Sequence, residues 1–196
     1  MQIKHLRPPM LVFGLVILAA ALAIMIGQTF RRQVPSVEPA VQTVEGAKLK
    51  LSSTVFDPDQ PIPAVYTCSG ANVNPPLTIE NPPGNAKEFV LIVHDPDAVG
   101  GDWVHWTVWN IPVDTTSIAE HSVPAGAAEG VTSFGGPGYG GPCPQNGSGT
   151  HRYMFDLYAL NDTLSLHANT SKDGLVAAMN GKVLARAQLI GTVKAK

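Results

Sequence analysis

From Pro8 to Phe30 the sequence carries no charged side chain, and Met10 to Gly27 is almost entirely Leu, Val, Ile, Ala, Met and Phe. A helix that is apolar on every face belongs in a bilayer or a protein core, and this run is long enough to cross a hydrocarbon layer of roughly 30 Å. Lys4 and Arg7 precede it; Arg31 and Arg32 follow. The pattern predicts a basic N-terminal segment over residues 1–9 and a transmembrane helix over residues 10–30. Cleaved signals have a shorter apolar stretch, about 7–15 residues, and then small residues at the cut. Ile26-Gly27-Gln28-Thr29-Phe30 is a poor cleavage site, so the expectation is an uncleaved signal anchor. A cleaved signal peptide and a buried helix are the alternatives. No cysteine follows the run, which argues against a lipid-modified anchor. Basic residues on both sides orient the segment only weakly. The expected arrangement puts the remaining chain outside the cytoplasm, periplasmic or at the cell surface, or secreted if the segment is removed.

Residues 31–46 read as a linker, with Pro35 and Pro39 and no apolar period. A folded domain is expected over 47–196, about 150 residues, a size that supports one hydrophobic core. Charge divides the chain at the same place. Up to residue 42 there are four basic residues and one acidic; beyond it there are nine basic and fourteen acidic. An acidic domain lacks the electrostatic footprint of a nucleic-acid binder. The two cysteines, Cys68 and Cys143, have no zinc-type spacing. In an oxidising compartment such a pair forms a disulfide; two buried thiols are the alternative.

The domain reads as strands separated by turns. Lys48 to Ser53 alternates polar and apolar, Pro76 to Glu80 is a short strand before Asn81-Pro82-Pro83-Gly84, and Glu88 to His94 is apolar enough for a central strand. Trp103 to Ile111 and Arg152 to Leu160 alternate again, and Gln188 to Val193 closes the chain as a strand. One helix is expected, capped by Ser171 and running at helical spacing through Leu175, Val176, Met179, Val183 and Leu184. Val123 to Thr150 is long, glycine-dense and unpatterned, and loops of that length are commonly functional or disordered.

Polar residues with chemical potential sit at the ends of these strands. Asp95-Pro96-Asp97 alone is an ordinary turn, but parity puts Asp95 on the face of Phe89, Leu91 and Val93, where a carboxylate needs partners. Alternation groups His105 with Thr107 and Trp109, and His151 with Tyr153. Each histidine taken singly is more simply a packed structural residue. If the strands converge, Asp95 orients an imidazole, the other histidine adds a donor, and backbone N–H groups of Gly140-Gly141 supply more. That set suits a phosphate, sulfate or carboxylate. Catalysis fits less well: Gly147-Ser148-Gly149 lacks the outer glycines of a nucleophile elbow, Cys143 is lost as a nucleophile if oxidised, and Asp95, His105 and His151 match a two-histidine, one-carboxylate metal set in identity alone.

The ordered motifs Asp95-Pro96-Asp97-Ala98, Trp103-Val104-His105-Trp106, Asn110-Ile111-Pro112, Gly141-Pro142 and His151-Arg152-Tyr153 resemble the phosphatidylethanolamine-binding protein family, in its bacterial Raf-kinase-inhibitor-like branch. Tyr66-Thr67-Cys68, Asn74-Pro75-Pro76-Leu77 and Leu189-Ile190-Gly191-Thr192 add to the resemblance, which runs from about residue 48 onward. It implies a mainly β fold, a two-sheet sandwich with small peripheral helices, and an anion-binding pocket near one end of the sheet; lacking a convincing nucleophile, the residues are read as non-catalytic, with no cofactor or metal. The pocket's polar lining would be Asp95, His105 and His151, with walls from Trp103, Gly141, Pro142, Tyr153 and Tyr139. Its ligand would be a phosphate-type anion or a phosphoethanolamine-like head group. The resemblance also implies, as an alternative, inhibition of a kinase or protease through protein contacts. Val99 stands where the eukaryotic form has proline, and that form's C-terminal helix has no counterpart before Lys196, so a more open pocket is expected.

Overall fold

Phe89, Val90, Leu91, Ile92 and Val93 are all fully buried, so the strand that carries them, β3 (Glu88–Asp95), lies inside a sheet with both faces covered. A computed structural model of the chain describes residues 48–196. The expected anchor over 10–30 and the whole linker over 31–46 lie outside the described residues; among those described, no helix is long and apolar enough to cross a membrane.

The strand is flanked by β4 (Trp103–Pro112) and β7 (Thr150–Leu160) in a five-stranded antiparallel sheet. Its edges are β6 (Ala128–Glu129), beside β4, and β8 (Val183–Lys194), beside β7. A second sheet of three strands has β1 (Lys50–Ser53) and β5 (Ser117–Ile118) on either side of β2 (Leu77–Glu80). Leu51, Leu77, Ile79 and Ile118 of the small sheet share one core with Phe89, Leu91, Val93, Phe155 and Leu157 of the large one. This is the two-sheet architecture expected. The other face of the large sheet, with Val90, Ile92, Trp109 and Tyr158, packs against Leu175, Val176 and Met179 of helix α1 (Lys172–Met179).

Helical elements are fewer than the resemblance implied: among the described residues there is α1 and one short turn of 3-10 helix, Ala64–Tyr66. Ser171 caps α1 by accepting from Gly174 N, as its position before an apolar period requires. The helix ends at Met179, short of the expected run through Leu184. Gly181, with φ +73°, takes the left-handed conformation that turns the chain, and Val183 and Leu184 open β8 instead. Their apolar spacing serves a strand paired to β7.

Two register shifts in the β3–β4 pairing matter for function. Val93 faces Trp106 while the next residue, His94, faces Val104, so His105 is an extra residue on β4. A bulge of this kind re-aims a side chain. At the other end Phe89 faces Ile111 and Leu91 faces Val108, with Asn110 at φ +56° in the second irregularity.

That second bulge supports a buried acid. Glu88 is only 2% exposed. Its Oε2 accepts from Leu164 N at 3.1 Å and, with the Asn110 amide oriented to satisfy its neighbours, from Asn110 at 2.8 Å. Oε1 has no partner. Burial outweighs these hydrogen bonds and pushes the carboxyl from 4.5 up to about 7. The folded state therefore holds its proton over a range where the unfolded chain has released it. Glu88 subtracts stability increasingly from about pH 4.5 to about pH 7, by on the order of 3 kcal/mol in full. Glu88→Gln removes the charge and keeps an acceptor. Urea denaturation at pH 5 and pH 8 should show the variant gaining on the wild type by roughly 2–3 kcal/mol more at the higher pH; parallel stabilities at both would contradict the assignment.

Candidate functional site

Asp95 ends β3 on the inter-sheet face and is 3% exposed. Its Oδ1 accepts from Asp97 N at 2.8 Å, an Asx turn that starts the β3–β4 loop. Its Oδ2 lies 2.7 Å from His151 Nδ1 at the start of β7, also 3% exposed. The carboxylate accepts, so Nδ1 donates. On the other side His151 Nε2 is 2.8 Å from Ser148 Oγ, which is 2.6 Å from the Gln145 carbonyl. A serine hydroxyl has one hydrogen, and the carbonyl can only accept. With the Ser148 hydrogen on the Gln145 carbonyl, the serine oxygen is left to accept from His151 Nε2.

His105 is the bulged residue of β4. Simple alternation grouped it with Thr107 and Trp109, and the structure corrects this. The extra residue turns His105 to the face of Trp103 and Asp95, while Trp109 stays on the helix side. Its Nδ1 donates to the Gly140 carbonyl at 2.6 Å, which fixes the tautomer with a lone pair on Nε2. Burial holds its pKa below the ordinary histidine value, against a smaller opposing effect of the Gly140 bond, so the ring is neutral. It makes edge-to-face contacts with Tyr153, centroids 5.1 Å apart, and Phe134, 5.5 Å.

These groups border a cavity of about 250 Å³ whose walls include Asp95, Trp103, His105, Phe134, Cys143 and His151. Ala98 and Val99 of the β3–β4 loop and Gln145 close its rim. Four of the residues expected from sequence, Asp95, His105, His151 and Trp103, thus meet at one place. Tyr153 lies behind His105, and its buried hydroxyl makes no well-formed hydrogen bond. Burial first, and the nearby Asp95 charge second, raise the phenol's pKa, so it keeps its proton.

Gly141, Pro142 and Tyr139 do not line this cavity. Gly141 N donates to Asn72 Oδ1 at 2.7 Å and Gly140 N to the His105 carbonyl at 2.9 Å, so neither N–H is offered to a ligand, contrary to the anion-donor role expected of them. Gly141 is there for close approach: a Cβ would stand 2.6 Å from the Tyr66 carbonyl oxygen. Pro142 accepts from Cys68 N, and Tyr139 donates its hydroxyl to the Tyr66 carbonyl. These three position the loop rather than the ligand.

The disulfide Cys68–Cys143, Cα atoms 5.4 Å apart, ties that loop to the segment after the short 3-10 turn and contributes its Cys143 end to the cavity wall. The β3–β4 loop is fixed from two directions. Arg152 grips Asp97 through Nε and NH2 at 2.9 and 2.8 Å, and this pairing holds Asp97 down at about 2. On the sheet's other face His94 bridges Asp102 at 2.5 Å and Asp156 at 3.1 Å, with Lys172 also on Asp102. Burial opposes charging of His94, but the two carboxylates outweigh it and raise its pKa.

Sequence reasoning missed Phe134 and the cap on His151. Phe134 is 53% exposed and crosses the cavity mouth; its ring fits because Gly140 has no side chain, since a Cβ there would be 2.2 Å from the ring. A lone aromatic within Ser133-Phe134-Gly135-Gly136 was the available signal. Ser148 drew attention only as a nucleophile. Its bond to Gln145 and its place on a turn give it the role of a cap. Among the described residues, no group of three or more His, Cys, Asp or Glu side chains is placed to hold a metal ion.

Comparison with known proteins matches residues 52–194 to the family described as phosphatidylethanolamine-binding protein. A UPF0098 protein of Methanothermobacter thermautotrophicus is 43% identical over 148 residues, 73% of this chain and 97% of its own. LppC of Mycobacterium tuberculosis, which carries a lipoprotein name, is 38% identical over 193 residues, 95% of this chain and 96% of its own. Among solved structures, a phosphatidylethanolamine-binding protein homologue from Chlamydia trachomatis, CT736, superposes with a TM-score of 0.73 at 36% identity, covering 77% of this chain and 100% of that one.

The disulfide closes a loop of 75 residues, worth roughly 4 kcal/mol on the chain-entropy account. Replacing both cysteines by serine should lower the urea-denaturation free energy by about 2–4 kcal/mol. A loss below about 1 kcal/mol would show that the unfolded chain is not constrained by this link.

Proposed function

We propose that this chain, which belongs to the phosphatidylethanolamine-binding protein family, binds a small oxyanion, a phosphate or a phosphorylated head group, without turning it over. The observation that carries the reading is the meeting of Asp95, His105 and His151 on one cavity of about 250 Å³, large enough for a phosphate and a short substituent. Buried imidazoles held by backbone and carboxylate are preorganised, so little is lost in ordering them on binding. The apolar rim of Val99, Trp103 and Phe134 suits the organic part of such a ligand.

Ser148, His151 and Asp95 have the connectivity of a hydrolytic triad. The reading against turnover rests on the direction of the serine hydrogen bond. A nucleophilic serine gives its hydrogen to the imidazole, whereas here the Gln145 carbonyl at 2.6 Å takes it.

We infer that the domain works outside the cytoplasm, held to a membrane by residues 10–30 or released if that segment is cut. Support comes from the disulfide, a bond of oxidising compartments, and from likeness to LppC, a lipoprotein by name, across nearly the whole chain. This sequence has no third cysteine to carry a lipid, so the apolar segment itself is the proposed anchor. A second reading, regulation of a kinase or protease by surface contact, draws on the exposure of Val99 at 66% and Phe134 at 53%.

Titration of the isotope-labelled protein with inorganic phosphate tests binding. The ring signals of His105 and His151 should move together and saturate with a dissociation constant of about 1 mM or tighter. Silence of both rings at several times that concentration removes the binding reading.

A further inference from the structure

The cavity's polar groups do not form a simple anion trap. Asp95 sets a carboxylate against the His151 ring, accepting from Nδ1 at 2.7 Å. Among the described residues, no lysine or arginine lines the cavity. The nearest cationic side chain in the sequence, Arg152, is spent on Asp97. His105 adds an acceptor: its hydrogen is committed to Gly140, and Nε2, which has no hydrogen-bond partner among the described residues, carries the lone pair. A fully ionised oxyanion would therefore meet a site with no net positive charge and would set oxygen lone pairs against those of His105 and Asp95.

A partly protonated oxyanion meets the same site differently. Its P–O–H donates to His105 Nε2, and its charged oxygens accept from His151 Nε2 once Ser148 is displaced. Resting on the oxyanion-binding reading above, the geometry points to a site selective for proton-bearing oxyanions: dihydrogen phosphate, or a singly ionised phosphomonoester or phosphonate. His105 is the residue that sets this selectivity. Sulfate, which has no proton near neutrality, and a phosphodiester, which has none to give, are rejected. Buried polar groups reject a ligand that leaves them unpaired far more strongly than apolar walls reject a change of shape. The head group recognised is thus a monoester end, free or on a larger molecule, and not the diester linkage within an intact phospholipid.

The test compares four probes on the full chain at pH 6, near the second ionisation of a phosphomonoester, about 6. Inorganic phosphate, methyl phosphate, dimethyl phosphate and sulfate are titrated in turn against the ring signals of His105 and His151. Phosphate and methyl phosphate should bind at least tenfold tighter than the other two. Sulfate or dimethyl phosphate within threefold of methyl phosphate overturns the selectivity while leaving oxyanion binding intact. Failure of all four removes the binding reading itself. His105→Phe, which keeps a ring and removes the lone pair, should bring sulfate to within threefold of phosphate, with a thermal melt confirming that the variant folds. A folded variant that keeps the tenfold gap would show that His105 is not its source. The wild-type comparison stands whether or not the variant folds.

Discussion

A carboxylate buried at the end of an apolar strand must be met by hydrogen bonds, and Asp95 organises this end of the molecule around that requirement. The residues before it on the same face, Phe89, Leu91 and Val93, belong to the core between the sheets. Leaving an ionised group there without partners would cost several kcal/mol. The partners come from separate segments: the backbone of Asp97 bends the following loop toward it, and His151 arrives from the neighbouring strand. Satisfying Asp95 thus sets the β3–β4 loop and the start of β7 in place together. The Arg152–Asp97 clasp and the His94–Asp102 bridge hold the same loop from its flanks.

A second constraint sits on β4. One residue inserted opposite the Val93–His94 step brings His105 to the cavity that plain alternation would have kept it from. The Gly140 carbonyl then decides which ring nitrogen bears hydrogen. The two histidines therefore differ in kind although they share a cavity. His151 is a donor tied to a carboxylate; His105 is an acceptor tied to a carbonyl. Trp103 and Phe134 pack edge to face on one side and the disulfide ties down the loop on the other, so this polarity pattern is held between fixed walls.

Much of this was legible beforehand because strand parity is a strict rule. The faces of Phe89 to Asp95 and of His151 to Tyr153 follow from alternation, and both are as expected. The family motifs brought Asp95, His105, His151 and Trp103 together as a set. Parity failed at His105, since nothing in Trp103-Val104-His105-Trp106 marks a bulge that contains no glycine. It failed differently for Gly141, Pro142 and Tyr139: a glycine-rich motif signals close backbone approach but not what approaches, and here it is Tyr66 and Asn72 rather than an anion. The helix was overextended because Val183 and Leu184 fit both periods, and only Gly181 separated them.

The central claim is that the cavity pairs a donor imidazole with an acceptor imidazole. Ring nitrogen-15 chemical shifts of the two histidines, measured near pH 7 without ligand, test it most directly. The account predicts a neutral His105 with hydrogen on Nδ1 and a bare Nε2, beside a His151 whose Nδ1 carries hydrogen. A His105 with hydrogen on Nε2, or on both nitrogens, would contradict it.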